Sequence, residues 1–166
     1  NRSGDEEQRA TLISDMLWLE QVFQFQFSHN EELLGQIGPE QAADARTFGA
    51  HAQSLLSNQT GLRQIRWQDA QGRLRHVLPT TEMGNTSDYH RKLARPLGKP
   101  VYGNPYLMDK DEWRIDVFVP LFRNDRYAGM VIGTYAVQRM LEEAVPWWLV
   151  ERYRIDIVDT PGHADF

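Results

Sequence analysis

The stretch WRIDVFVPLFRNDRYAGMVIGTYAV, residues 113–137, decides the fold. Its β-branched and aromatic residues alternate on both sides of a polar RNDR tetrapeptide, which predicts two long strands joined by a tight turn. A turn centred on residues 124–125 sets the register of the hairpin. The predicted partners are Phe122 with Tyr127, Phe118 with Val131, Asp116 with Gly133 and Arg114 with Tyr135.

The hairpin is expected to have one apolar face and one mixed face, because side chains alternate between the two faces of a strand. The apolar face comprises Trp113, Ile115, Val117, Val119 and Leu121 with Ala128, Met130, Ile132, Thr134 and Ala136. The mixed face comprises Arg114, Asp116, Phe118, Pro120 and Phe122 with Gly129, Gly133 and Tyr135. We expect a helix against the first face. The second is interpreted either as the wall of a pocket or as a solvent-facing surface on which Arg114 and Asp116 pair.

Composition indicates one ordinary globular domain. The 166 residues are 41 % hydrophobic and 25 % charged, without the signature of disorder. The formal net charge of -5 argues against a nucleic-acid partner, which would require a basic patch. The sequence has no cysteine, so disulfides and thiolate metal sites are excluded. No run approaches the length of a membrane span.

The rest of the sequence supplies helices and shorter strands around the hairpin. An apolar stripe from Leu12 to Phe27 predicts a long helix over residues 5–35, and the second helix is predicted to begin at Pro39. The other predicted elements are strands at 62–69 and 73–78, a short helix from about 88, an extended segment at 98–108, a helix from 138 and a last strand at 153–160. We therefore expect an α+β fold, a mostly antiparallel sheet with the long N-terminal helix packed on one face. The extended segment is expected to carry Tyr102 and Tyr106 on one face.

Residues 1–152 are predicted to form the domain. Residues 153–166 are interpreted as a final strand or as the truncated start of a second module, because Ile155, Asp159 and Gly162 repeat the spacing of an earlier strand and turn. No sequence motif for a nucleophile, a metal site or a phosphate loop is present. We therefore expect neither enzyme activity nor a cofactor or metal ion.

Three segments together suggest a family: SDYHRK at 87–92, GKPVYGNPY at 98–106, and the strand pair VFVPL at 117–121 with GMVIG at 129–133. They resemble the Cache family of PAS-like extracytoplasmic sensor domains of bacterial signalling receptors, such as histidine kinases. The resemblance implies a PAS-like sheet with a ligand pocket on the face opposite the long helix. It also implies a periplasmic location, a membrane-anchored homodimer and two-component signalling. Asp88 directly precedes Tyr89 where the family's amino-acid sensors carry an arginine, so recognition of amino acids is not implied.

The resulting hypothesis is a sensor domain that binds a small organic molecule such as a carboxylate. An arginine fork would bind the carboxylate, and tyrosines would supply walls with a polar tip. The predicted ligand-binding residues are Tyr89, His90, Arg91, Tyr102, Tyr106, Arg114, Asp116 and Tyr135. The alternative hypothesis is a ligand-free scaffold or dimerisation module, in which exposed aromatic residues contact protein.

Overall fold

The computed structural model describes residues 2–81, 83–84, 88–109 and 111–158, with side chains described as far as Tyr153. The helices are α1 (Arg2–Gly35), α2 (Ala45–Asn58), α3 (Asp88–Leu97), α4 (Val137–Ala144) and α5 (Trp147–Val158). The strands are β1 (Leu62–Asp69), β2 (Leu74–Leu78), β3 (Val101–Tyr102), β4 (Tyr106–Met108), β5 (Glu112–Arg123) and β6 (Arg126–Ala136). The described residues divide into two compact units, 27–140 and 2–26 with 141–158.

The first unit contains an antiparallel sheet with the strand order β2-β1-β6-β5-β3, and β4 also pairs with β5. The hairpin β5–β6 lies at its centre, as the sequence predicted. The α+β fold class with an antiparallel sheet and a long N-terminal helix is therefore confirmed.

One face of this sheet is covered by the end of α1 and by α2. Leu34 is fully buried and packs in one cluster with Val117, Val119 and Val131. The sheet is fitted to this side chain, since a Cβ atom on Gly133 would lie 2.7 Å from Leu34 Cδ1. Asp44 caps α2 by accepting a hydrogen bond from the Thr47 amide at 2.8 Å. The prediction that α2 begins at Pro39 is therefore wrong, because residues 39–44 form turns and an Asx cap starts the helix.

The opposite face is covered at one end by α3. Ala94 of α3 is fully buried against Phe118, Met130 and Ile132. Arg95 stacks on Tyr127 with its guanidinium carbon 4.3 Å from the ring centroid. The sheet therefore has apolar packing on both faces.

The second unit is helical. Asp15 of α1 pairs with Arg152 of α5 and accepts a hydrogen bond from the Tyr153 hydroxyl at 2.7 Å, which lowers the pKa of Asp15. The rings of Trp18 and Trp148 lie 5.5 Å apart. In this part of α1 the apolar stripe is largely exposed: Ile13, Met16 and Leu17 are each more than half accessible.

The predicted last strand at 153–160 is wrong as far as the described backbone extends. Residues 153–158 continue helix α5, and residues 159–160 lie outside the described residues, as does most of the proposed module at 153–166. The boundary at residue 152 remains a prediction. None of the described helices combines the length and the apolar character that a membrane span requires.

Candidate functional site

The register of the hairpin differs from the prediction by one residue over most of its length. Phe122 pairs with Tyr127 as predicted, but a bulge between Leu121 and Phe122 shifts the remaining pairs. Asp116 therefore pairs with Thr134, and the predicted pairing of Asp116 with Gly133 is wrong. A bulge places two residues of one strand opposite one residue of its partner. Beyond the bulge, each β6 residue therefore shares a face with β5 residues that were predicted to lie on the other face.

The shift corrects the placement of Tyr135, which was predicted on the mixed face beside Arg114. Tyr135 pairs with Ile115 and lies in the core under the helices, where its hydroxyl donates to Gln59 Oε1 at 3.0 Å. Thr134 moves in the other direction, from the predicted apolar face to the side of Asp116.

Tyr102 is also on the helix side of the sheet. Its hydroxyl donates to Glu31 Oε2 at 2.7 Å, whereas the Tyr106 hydroxyl donates to Asp116 Oδ1 at 2.9 Å on the other face. The prediction that the two tyrosines share a face is wrong, because residues 103–105 leave the strand conformation between β3 and β4. The structure thus separates Tyr102 and Tyr135 from the other predicted site residues.

Asp116 is the centre of a buried polar cluster on the α3 face. Its side chain is completely inaccessible, and its Oδ1 accepts hydrogen bonds from Tyr106 at 2.9 Å and from the Thr134 hydroxyl at 2.7 Å. Its Oδ2 accepts from Arg66 Nη2 at 3.1 Å. A buried carboxylate is tolerated only when it is paired and hydrogen-bonded in this way. Burial, and then the negative charge of Asp116, raise the pKa of Tyr106, so its hydroxyl stays protonated as a donor.

Arg66 of β1 is the functional candidate that the sequence interpretation missed. Its side chain is 13 % exposed, and within the described part of the chain its buried Nε has no hydrogen-bond partner. Its Nη1 has a weak contact with Met83 Sδ at 3.8 Å. A signal for it was present in the sequence, since Gln64, Arg66 and Gln68 are polar at alternate positions of a strand and must share one face.

A segment after β2 lies over this polar part of the sheet. The buried Gln64 amide donates to the carbonyl oxygens of Pro79 and Thr81 at 3.1 and 3.3 Å. Gly84 lies directly against Tyr106, because a Cβ atom there would be 2.0 Å from the tyrosine ring. The described residues of the segment therefore adjoin Arg66 and Tyr106, and α3 covers the neighbouring part of the same face.

Arg114 lies on the same face as Asp116 but pairs with a different carboxylate. Its Nε donates to Glu112 Oε1 at 2.9 Å, and Arg63 donates to both oxygens of Glu112 at 3.1 and 3.2 Å. These bonds, first that from Arg63, lower the pKa of Glu112. The predicted alternative of a surface pair between Arg114 and Asp116 is wrong, since Asp116 is buried and pairs with Arg66.

The predicted site residues of α3 contact one another and their own helix. Tyr89 is 64 % exposed and its ring meets that of His90 edge to face at 5.1 Å. Arg91 is 3.0 Å from Asp88 in an ion pair on the same helix. Of the predicted site residues, the structure thus joins Tyr106 and Asp116 by a direct bond and sets Arg114 beside them. Tyr89, His90 and Arg91 remain predictions.

The comparisons with known proteins agree with this architecture. No family model matches the chain. The chain is 32 % identical over 160 residues to the C4-dicarboxylate transport sensor protein DctS of Rhodobacter capsulatus; the match covers 93 % of this chain and 23 % of that protein. The chain thus spans about a quarter of the length of its curated relative.

Solved structures with the same fold are ligand-binding domains of receptors. The domain of the Pseudomonas fluorescens chemoreceptor CtaA in complex with L-serine matches with a TM-score of 0.59 and 16 % identity, over 80 % of this chain and 61 % of that one. That of the Pseudomonas aeruginosa amino-acid chemoreceptor PctC with GABA has a TM-score of 0.53 and 13 % identity, over 72 % and 56 %. The extracellular domain of the histidine kinase mmHK1S-Z2 has a TM-score of 0.50 and 15 % identity, over 72 % and 57 %.

These structures share the fold of the chain, and the sequence relative is a sensor protein. The chain therefore has the Cache-like fold that the sequence predicted, which it shares with these ligand-binding domains. The similarity to a sensor protein and to ligand-binding and extracellular domains supports the predicted role as an extracytoplasmic input domain for a small molecule.

Proposed function

We propose that this domain is the periplasmic input module of a membrane-anchored sensor kinase and that it detects a small organic acid of the C4-dicarboxylate type. The observation that carries the proposal is Arg66, a largely buried guanidinium whose Nε has no partner within the described residues. The module binds its ligand without catalysis and without a cofactor. Kinase activity would reside in other domains.

A carboxylate would complete the hydrogen bonding of Arg66. Guanidinium and carboxylate form two parallel hydrogen bonds, and such pairs are the strong ones in proteins. The charge of the site also favours an anion. In the described ion pairs, two carboxylates face three arginines: Asp116 pairs with Arg66, and Glu112 pairs with both Arg63 and Arg114. The attraction is strengthened by burial, since the effective dielectric constant is lower away from water.

Asp116 argues for an acid without an amino group. An ammonium ligand would have to reach the carboxylate, but Asp116 is completely inaccessible, and two hydroxyls and Arg66 already occupy three of its roughly four acceptor positions. The two chemoreceptor domains are in complex with GABA and L-serine, whereas the name of the sequence relative refers to C4-dicarboxylates. We propose that Arg66 binds one carboxylate and that Arg114, with His90 and Arg91 of α3, supplies the second.

Calorimetric titration tests the proposal. We expect succinate or malate to bind, and L-serine and GABA to bind at least tenfold more weakly. Arg66→Lys keeps the charge but loses the fork, so we expect at least tenfold weaker binding, equivalent to about 1.4 kcal/mol. Arg63→Lys, three residues away on the same strand, should stay within threefold of the wild type. Absence of binding by any C4-dicarboxylate, or equal losses in the two variants, would refute the assignment.

The homodimer is a second, separate proposal. It is supported by Ile13, Met16 and Leu17, which are exposed at 59 %, 61 % and 57 % and lie within about one turn of α1. Scattered apolar residues are normal on a surface, but a cluster on one helix face is typical of a contact site. We expect a dimer in sedimentation equilibrium that Leu17→Lys weakens, while Leu107→Lys, also at an exposed leucine, does not. A monomer at every concentration would contradict the proposal.

A further inference from the structure

Residues 101–106 connect the proposed ligand site to helix α1. This segment carries two tyrosines whose hydroxyl groups bond on opposite sides of the sheet. Tyr106 donates to Asp116 at 2.9 Å, and Tyr102 donates to Glu31 of α1 at 2.7 Å. One short stretch of chain therefore contacts both the buried carboxylate of the site and the long helix.

The segment is attached to Asp116 twice. The Tyr106 hydroxyl bonds the side chain, and the Gly103 amide donates to the Asp116 carbonyl oxygen at 2.9 Å. Between the two tyrosines only residues 103–105 lie outside the strand ladders. A displacement of Asp116 would therefore move the segment as a whole, because its side chain and its main chain both hold it.

Tyr102 contacts α1 at two residues one turn apart. Its ring centroid is 6.0 Å from that of Phe27, and its hydroxyl bonds Glu31. Positions i and i+4 share a helix face, so the two contacts act on the same side of α1. Burial, and then the bond to Glu31, raise the pKa of Tyr102, so this hydroxyl remains protonated and keeps donating.

We propose that Tyr102 and Glu31 are positioning residues that transmit the state of the carboxylate site to α1. The inference rests on the proposed function, because it assigns a consequence to occupancy of the site. A ligand carboxylate on Arg66 competes with Asp116 for the guanidinium. The weakened Arg66–Asp116 pair then alters the hydrogen bonds that Asp116 accepts from Tyr106 and Gly103. As a result, Tyr102 changes its contact with α1. Such coupling requires that the ligand prefer one arrangement over the other.

The first experiment needs no ligand. Tyr106→Phe removes the hydroxyl on the site side, and amide hydrogen exchange is then measured over residues 27–35 of α1. We expect at least a threefold change in exchange rate, and no further change when Tyr106→Phe is added to Tyr102→Phe or to Glu31→Gln. Tyr127→Phe makes the same chemical change at a tyrosine that packs on α3 and should leave these rates unchanged. The amides of α2 serve as an internal reference for global stability.

The second experiment adds succinate to saturation. In the wild type, succinate should change exchange over residues 27–35 at least threefold. In Tyr102→Phe, succinate should bind within threefold of the wild-type Kd while the exchange change falls to less than a third. A merely structural contact would alter stability but not this ratio.

Two results would overturn the inference. One is an unchanged exchange rate of α1 in Tyr106→Phe, and the other is an equal succinate response in Tyr102→Phe and wild type. If succinate fails to bind the wild type, the proposed ligand class is wrong, and the ligand-free experiment still decides whether the segment couples the two faces.

Discussion

Replacing Thr134 by valine should weaken the buried cluster around Asp116. Thr134 is 2 % exposed and its hydroxyl donates to Asp116 Oδ1 at 2.7 Å. Valine has nearly the same shape, so the substitution removes the donor without leaving a cavity. The carboxylate cannot recruit water in compensation, because Asp116 is completely buried.

The expected cost follows from this geometry. A hydrogen bond to a charged group contributes about 1.5–3 kcal/mol, and leaving part of it unsatisfied costs a comparable amount. For a chain of this length that corresponds to a fall in Tm of about 3–12 °C. Tyr106→Phe removes the other bond to the same oxygen. The double variant should lose more than the sum of the single losses, by about 0.5–3 kcal/mol, because Oδ1 then has neither hydroxyl donor.

Urea denaturation followed by circular dichroism measures these free energies of unfolding. Thr81→Val is the matched control, since Thr81 is exposed and the hydrogen bond described for it, from Gln64, uses its carbonyl oxygen. The control should stay within about 0.5 kcal/mol of the wild type. A loss below about 0.5 kcal/mol for Thr134→Val, or strict additivity in the double variant, would refute the shared-acceptor geometry.

Three further predictions concern the rest of the sheet unit. Gly133→Ala should lower the free energy of unfolding by about 1–3 kcal/mol, because its Cβ would lie 2.7 Å from Leu34 Cδ1. In the same denaturation assay, the double variant with Leu34→Ala should lose less stability than the two single variants together. Tyr135→Phe should cost about 0.5–1.5 kcal/mol and leave the Kd for succinate unchanged, since its hydroxyl bonds on the helix side; a tenfold weaker Kd would contradict the register. The backbone amide of Arg73 lowers the pKa of Asp69 from 3.8 to about 2, so its contribution to stability is full above pH 4 and is lost as the pH falls through 2. Asp69→Asn should flatten that pH dependence in urea unfolding, and an unaltered profile would contradict the assignment.

The strands, the central hairpin and the cover by α1 could be predicted because they follow from local periodicity. Alternation between Trp113 and Val137 is strong, and the strand ends coincide with turn residues. The register could not be predicted, since one extra residue in β6, Ala128, leaves the alternation on either side of it intact. The inserted residue changes the pairing between the two strands. For that reason Thr134 and Tyr135 lie on the opposite faces from those predicted.

The candidate site was predicted in part for the same reason. Asp116 and Tyr106 were recognised as a polar residue in an apolar strand and an aromatic residue in an extended segment. Arg66 was missed because its importance depends on β1 lying beside β6, a pairing between distant parts of the sequence. The apolar stripe in α1 correctly predicts a helix, but periodicity does not show which part of it is covered, and Ile13 and Met16 at its start are exposed.

The bulge between Leu121 and Phe122 has a consequence for how such domains diversify. It lies between the hairpin tip and the residues around Asp116, and it takes up one residue of mismatch between the strands. The tip can therefore lengthen or shorten over evolutionary time while the inner register stays constant. The extra residue is Ala128 of β6, because Leu121 pairs with Gly129 and Phe122 with Tyr127. Homologues that lack a residue at this position should therefore keep the pairs around Asp116 and lose only the local twist that the bulge adds to the hairpin.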